Sequence, residues 1–187
     1  MTDIMWNSEI YDSAAHARTL DSDQATPALG DPRLLRNALG SFATGVIVLT
    51  YESGDAYHGV TVNSFTSVSM DPPLVLVSMK RTSRALAYLL ERPFAINIMC
   101  DEQLDTALHF AGKPKEENRI EWVTDDGAPR INGSSAYFQC TPWAGYDGGD
   151  HVLVIGRVLS YGEQDDAGPL LFYRGQWTSL TPDDAGR

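Results

Sequence analysis

Positive charge is scarce in this chain. Lysine and arginine number 14 against 25 aspartates and glutamates, giving a formal net charge of -11. Wrapping nucleic acid takes a basic footprint facing the phosphates, and this balance argues against one. Cysteine is nearly absent: Cys100 and Cys140 stand far apart, with no CxxC spacing. No disulfide framework is expected, and both read as small buried apolar side chains. The four histidines, His16, His58, His109 and His151, show neither HxxxH nor HExxH spacing, so no metal site is expected. No apolar run reaches the roughly eighteen residues a membrane helix needs. The stretch Met1–Glu9 lacks the basic start and apolar centre of a secretory signal. These absences lead to the expectation of a cytoplasmic protein whose partners include neither membrane nor nucleic acid.

Apolar residues, by contrast, are plentiful. They make up 43% of 187 residues, enough for the core of one domain, since domains commonly run to about 100–200 residues. Residues 1–30 are polar and weakly periodic, and read as an extension that is disordered or lies on a partner subunit. The domain is expected over 31–180, with 181–187 as a tail. Asp31-Pro32 predicts a helix start. The aspartate caps it, and the proline suits the first helical position because its missing N–H would be unpaired there anyway. Leu34, Leu35, Ala38, Leu39 and Phe42 recur at helical spacing and predict one buried face, ending near Gly45.

Apolar, β-branched runs then predict strands at Val46–Tyr51, Tyr57–Val62, Phe65–Met70 and Leu74–Met79. Ser53-Gly54-Asp55 turns the first pair, and Asp71-Pro72-Pro73 separates the second, since proline donates nothing to a ladder. Leu74–Met79 is apolar almost throughout and reads as buried on both faces. Thr82 or Ser83 is expected to cap a helix reaching Glu91, with Leu86, Leu89 and Leu90 inward. Phe94–Met99 reads as a strand. Asp101 is expected to cap a helix reaching Phe110 and closing near Gly112. Lys113–Asn118 reads as a charged, mobile loop. Ala136–Thr141, His151–Tyr161 and Leu170–Tyr173 complete the strands, with a turn over Tyr146–Asp150 and a bulge at Gly156. Strands in hairpin order with three or so short helices predict a mainly β fold, an antiparallel barrel with peripheral helices. A doubly wound parallel sheet needs a helix between most strands.

Three stretches are candidates for chemistry. The first is cationic and rich in hydroxyls. Lys80, Arg81 and Arg84 supply three of the fourteen cations within five positions, beside Thr82 and Ser83. A helix N-terminus with such neighbours can hold a phosphate without a glycine-rich loop; an ordinary capped helix accounts for the same residues. The second is Asn63, Ser64 and Thr66. Small polar residues between strands leave backbone groups open to a flat heterocycle, and a polar hairpin edge looks the same. The third is Gly148-Gly149-Asp150-His151. Two glycines permit close approach to a ligand, and His151 is a donor or stacking surface whose tautomer Asp150 can fix if it folds back onto the ring. A solvated turn is the plainer alternative. Ser64, His151 and Asp150 do not make a convincing hydrolase triad: adjacent Asp and His seldom face each other productively, and no GxSxG elbow exists.

Ordered along the chain, Phe42-Ala43-Thr44-Gly45-Val46, Val62-Asn63-Ser64-Phe65-Thr66-Ser67-Val68-Ser69, Asp71-Pro72-Pro73-Leu74-Val75-Leu76, Phe110-Ala111-Gly112, Gly149-Asp150-His151 and Pro169-Leu170-Leu171-Phe172-Tyr173-Arg174-Gly175 form a set. It resembles the small flavin reductases of two-component flavin-dependent monooxygenases, in the FMN-binding split-barrel group, over about residues 31–180. The resemblance implies a homodimeric split barrel with flavin near the subunit interface. It implies that Thr44, Asn63, Ser64, Phe65 and Thr66 contact the flavin ring, largely through backbone. It places Ser78, Lys80, Ser83 and Arg84 near the ribityl chain and phosphate, and Phe110, Ala111 and Gly112 at the flavin border. His151 is implied where the nicotinamide arrives. Val62 stands where many relatives have alanine. The implied activity is hydride transfer from NADH or NADPH to FMN or FAD, with the reduced flavin passing to a separate monooxygenase. The alternatives are a flavin carrier or sensor without reductase activity, and an oxidase that keeps its flavin.

Overall fold

The computed structural model describes residues 30–115, 118–164 and 167–180. The expected extension over 1–30, apart from Gly30, and the tail over 181–187 lie outside the described residues. In chain order the elements are α1 (Pro32–Leu39), β1 (Thr44–Gly45), β2 (Ile47–Ser53), β3 (Ala56–Val62), β4 (Thr66–Met70), β5 (Pro73–Lys80), α2 (Ala85–Glu91) and β6 (Phe94–Ile98). A single 3-10 turn (Asp101–Gln103) leads into α3 (Leu104–Phe110). Then come β7 (Trp122–Val123), β8 (Arg130–Ile131), β9 (Ala136–Gly148), β10 (His151–Glu163), β11 (Leu171–Tyr173) and β12 (Gln176–Thr178). The fold is mainly β, with three α-helices among the described residues, as expected.

Seven strands form one antiparallel sheet in the order β3-β2-β6-β9-β10-β5-β4. Its two edge strands, β3 and β4, are consecutive in the chain, joined only by Asn63-Ser64-Phe65. Six inter-strand steps in a flat sheet would set the edges about 29 Å apart. The link from Val62 to Thr66 spans at most roughly 14 Å. The sheet therefore has to bend round until its edges approach. No ladder joins β3 to β4 among the described residues, so the expected barrel is not closed.

The core follows strand alternation. On β2, Ile47, Leu49 and Tyr51 pack with Val75, Val77, Met79, Phe94 and Val154, while Val48, with Val46 just before the strand, turns the other way, toward Met99, Ala107 and Leu170. That makes β2 a strand buried on both faces, as is its neighbour β6. The same expectation fails for β5: only Val75, Val77 and Met79 are buried, while Leu74, Leu76 and Ser78 are half-buried. The buried Asn97 carboxamide donates to Val48 C=O (2.9 Å) and Thr50 Oγ1 (3.0 Å) and accepts from Ile131 N–H (2.8 Å). It pins β8 onto the sheet.

Several expected boundaries move. The helix after Asp31 ends at Leu39, capped by Gly40, and Thr44–Gly45 pairs with β11 instead of closing the helix. Its apolar stripe is not buried: Leu34 and Leu39 are each 67% exposed and Phe42 is 77% exposed. Helix α2 starts at Ala85, and neither Thr82 nor Ser83 caps it with a side chain. Asp101 does not cap the next helix: Cys100 caps the 3-10 turn, its N–H taken by Gln103 Oε1 at 3.3 Å, and α3 follows from Gln103 without a side-chain cap. Strand β9 runs on through Pro142 to Gly148, well past Thr141. The proline is tolerated because the register slips there: Gly156 pairs with Pro142 and Ile155 with Ala144, leaving Trp143 as the extra residue. The bulge at Gly156 is as expected, and a Cβ there would stand 2.8 Å from the Phe94 ring.

Candidate functional site

A cleft of about 410 Å³ opens at the gap between the two sheet edges. Its walls bring together Asn63, Ser64, Ser78, Lys80, Ser83, Phe110, Ala111 and His151. These come from four separate segments of the sequence, around Asn63–Ser64, Ser78–Ser83, Phe110–Ala111 and His151. Val60, Thr61, Val62 and Met79 complete the lining.

Each wall has a local cause. Ser64, in the link, donates its hydroxyl to Ser78 C=O at 2.9 Å and accepts Ser78 N–H at 3.0 Å. The β4–β5 ladder ends at Thr66 opposite Leu76, so Ser78 faces the gap without a strand partner on that side. The Ser64 side chain takes the place of the missing strand. It therefore cannot act as a nucleophile paired with His151. Asn63 Nδ2 donates to Thr44 Oγ1 at 3.1 Å, which sets Thr44 just behind the link. Phe65 turns inward and stacks on Phe138 at 5.8 Å between centroids, and Thr66 begins β4. Neither Phe65, Thr66 nor Thr44 lines the cleft with the others.

Along β5, Ser78 and Lys80 share one face by strand periodicity, with Met79 in the core. Lys80 is paired directly with His151, so the two side chains rise from the same face of adjacent strands. Ser83 follows in the turn before α2. Arg84 stands at the head of that helix and does not line the cleft. Its charge bears instead on Tyr51, whose phenol burial and Tyr88 hold above the usual range and Arg84 draws back down.

The opposite wall is the end of α3. Thr61 Oγ1 donates to Ala107 C=O at 2.7 Å and ties the helix to β3. The helix closes in a Schellman turn: Lys113 N–H reaches Leu108 C=O at 2.9 Å, Gly112 N–H reaches His109 C=O at 3.2 Å, and Gly112 takes φ +82°. This presents Phe110 and Ala111 to the cleft. The Phe110 ring lies on Gly59, where a Cβ would fall 2.6 Å from it.

His151 opens β10 after the two-residue turn Gly149–Asp150, with Gly149 at φ +77°. The neighbouring aspartate does fold back: His151 Nδ1 and Asp150 Oδ1 are 2.7 Å apart. The imidazole beside it lowers the Asp150 carboxyl pKa by hydrogen bond and charge. Strand alternation normally separates adjacent side chains, but Asp150 belongs to the turn, which frees it to reach the ring. The bond occupies Nδ1 and leaves Nε2 for whatever enters the cleft.

A larger hollow of about 780 Å³, lined by residues including Arg92, Asp125, Gln139 and Leu159, lies elsewhere. Two of its polar side chains are already engaged: Gln139 bonds both backbone groups of Ala128, and Asp125 pairs with Arg130. The cleft at the sheet gap, where unpaired side-chain donors converge, is the candidate site. Burial pushes the Cys140 thiol, which borders the hollow, up to about 12, so it is an inert apolar side chain as expected.

The chain has clear relatives among known proteins. The model of the flavin reductase like domain matches residues 39–181. An NADH-dependent flavin reductase from a Rhodococcus species is 43% identical over 155 residues, covering 80% of this chain and 86% of that protein. The reductase subunit of a flavin-dependent monooxygenase from Rhodococcus jostii is 40% identical over 157 residues, covering 82% and 80%. Among solved structures, the NADH:FAD oxidoreductase of Streptomyces globisporus, in complex with NAD and FAD fragments, superposes with a TM-score of 0.74 at 33% identity, covering 82% of this chain and 94% of that one. The chain belongs to the flavin reductase like domain family.

Proposed function

We propose that the protein is an NADH-dependent flavin reductase that supplies reduced flavin to a separate monooxygenase. The observation carrying this is the convergence of the Asn63–Ser64 link, Lys80, Ser83, Phe110 and His151 on one cleft. The cleft has the size of a small-molecule pocket, about 300–1,000 Å³. Its residues suit a flavin. Phe110 and Val62 give apolar surface for the ring, the link gives a narrow polar edge, and Lys80 and Ser83 give a cation and a hydroxyl for a phosphate.

Bound flavin and nicotinamide supply the hydride chemistry themselves. The chain's part is placement. Asn63, Ser64, Phe65 and Thr66 offer the backbone of the link to the ring, with Thr44 supporting Asn63. Ser78, Lys80 and Ser83 hold the ribityl and phosphate end, and Arg84 stands beside them as a second cation. Phe110, Ala111 and Gly112 border the ring and exclude water. His151, with Nδ1 tied to Asp150, directs Nε2 at the nicotinamide side. No strong acid or base is required; orientation supplies the rate.

The domain spans 31–180, with 1–30 and 181–187 as extension and tail, and its split barrel has its seam at the β3–β4 gap. The functional unit is a homodimer: Leu34, Leu39 and Phe42 around α1 and Met70 on β4 form bare apolar surface that a second copy covers. A cytoplasmic setting, with its free NADH, suits this activity, and no helix among the described residues is long and apolar enough to cross a membrane. NADH consumption with FMN and FAD supplied separately tests the reading. Rapid, flavin-dependent oxidation is expected, and a protein that binds flavin without oxidising NADH is a carrier instead.

A further inference from the structure

We propose that Arg81 is a positioning residue for His151, acting through the tip of the β9–β10 hairpin; this rests on the role of His151 given above. His151 is the first residue of β10 held by the ladder, paired with Lys80 on one side and Gly148 on the other. Just before it lie Gly149 and Asp150, and before those Gly148, so the tip contains the freest backbone in the hairpin. Arg81, the first residue past β5, holds that tip at three points. Its N–H donates to Asp150 C=O at 3.1 Å. Its Nε donates to Gly149 C=O at 2.7 Å, and its Nη2 pairs with the Asp147 carboxylate. The other Asp147 oxygen accepts Gly149 N–H at 2.9 Å, which closes the loop on itself.

This fork spans both sides of the turn. The peptide carbonyl it grips belongs to the residue before Asp150, and Asp150 in turn holds the His151 ring. A guanidinium can meet two acceptors in one plane, whereas an ammonium is a point charge on a flexible stem. The pair is exposed, with the Arg81 side chain 44% and the Asp147 side chain 78% accessible, so its contribution to global stability is small. What it fixes is where the tip lies, and with it the angle at which His151 meets the cleft. The Asp147 carboxylate answers the Arg81 charge, whereas Lys80 has no ion pair among the described residues. Lys80, not Arg81, is therefore the cation open to a phosphate.

The test measures the hydride-transfer rate constant by stopped flow at saturating NADH, with flavin affinity measured in parallel, for the wild type, Arg81→Ala, Arg81→Lys, Asp147→Asn, His151→Ala and the Arg81→Ala/His151→Ala double variant. Arg81→Ala and Arg81→Lys are expected to lose roughly tenfold in rate, with flavin affinity kept within about twofold. Asp147→Asn shifts the rate in the same direction by less, and covers the case of an unstable Arg81 variant. The double variant is expected to match His151→Ala alone, because a residue that acts through another adds nothing once that residue is gone. Independent, multiplying effects in the double variant overturn the proposal. So does an Arg81→Ala variant with weakened flavin binding and an unchanged rate, which would make Arg81 a flavin ligand. A wild type that reduces flavin with no loss in His151→Ala also overturns it, leaving nothing to position. A wild type that does not oxidise NADH refutes the reductase reading before any variant is compared, and this proposal falls with it.

Discussion

Ser64→Ala asks whether one hydroxyl holds the seam of the sheet. Ser64 Oγ makes two part-buried bonds to the backbone of Ser78, at 2.9 and 3.0 Å, where the β4–β5 ladder has already ended. Each is worth roughly 0.5–1.5 kcal/mol net, so the pair contributes about 1–3 kcal/mol. Alanine also leaves the Ser78 N–H and C=O without a partner in a place only partly open to water, which argues for a value near the middle, about 2 kcal/mol. For a chain of this size that is a fall in Tm of roughly 4–8 °C. The link Asn63–Phe65 loses its anchor as well, and FMN affinity is expected to drop roughly three- to tenfold, equivalent to about 0.6–1.4 kcal/mol. Thermal melts of the flavin-free protein and fluorescence titration with FMN measure both. Ser67→Ala, on the exposed β4 nearby, is the control and should stay within about 0.5 kcal/mol of the wild type. If Ser64→Ala melts and binds like Ser67→Ala, the hydroxyl is not the clamp and the reasoning fails.

His151→Ala is expected to slow hydride transfer or raise the KM for NADH while flavin still binds; unchanged stopped-flow kinetics would remove the residue from the mechanism. Gly59→Ala puts a Cβ 2.6 Å from the Phe110 ring, so the ring must move; flavin binding should weaken several-fold, roughly 1 kcal/mol, with the fold intact, and a wild-type titration curve would show the ring is not a wall of the site. Asn97→Ala strands the Ile131 N–H and the Val48 and Thr50 groups it serves, at a cost of about 2–4 kcal/mol, a larger loss in urea midpoint than Ser64→Ala. The Asp147 and Asp150 carboxyls sit below their usual 3.8, held there first by Gly149 N–H and by His151 respectively. Groups with lowered folded pKa stabilise fully above the unfolded value and lose that contribution as pH falls through the folded one. The acid limb of the urea midpoint below about pH 4 should therefore be shallower in Asp147→Asn, and an identical limb counts against the tip contacts.

Local chemistry in the sequence was enough for much of the sheet. The Val46–Tyr51 run, the Asp-Pro-Pro break and the glycine at 156 each act through their own backbone, so each is readable without knowing the fold. What failed needed distant partners. The stripe on α1 has helical period, but period says only that the apolar residues share a face, not that this chain covers it. Pro142 looked like the end of a strand because its compensation, a slipped register, lies on β10. Thr82 and Ser83 have the right chemistry for caps, but Ser83 N–H bonds Lys80 C=O and the chain makes one more turn before helix begins. The site shows the same division. Asn63, Ser64, Lys80, Ser83, Phe110, Ala111 and His151 carry types suited to binding, and they meet. Arg81 was noticed only as part of a cation cluster, because its partners are 66 and 68 positions away. Gly59 gave no signal, since only the ring resting on it makes its lack of a Cβ matter.

A sheet that bends round without zipping shut leaves main-chain amides and carbonyls along its seam that no side-chain replacement can delete. Alanine scanning across Asn63, Phe65 and Thr66 would therefore understate how much of a flat ligand's grip comes from this edge. It also means that drift of residue identity along the link, Ser64 apart, is tolerated as long as its length and path are kept. Lengthening the link by one or two residues should damage binding more than any single substitution within it, because the added slack lets the two edges part.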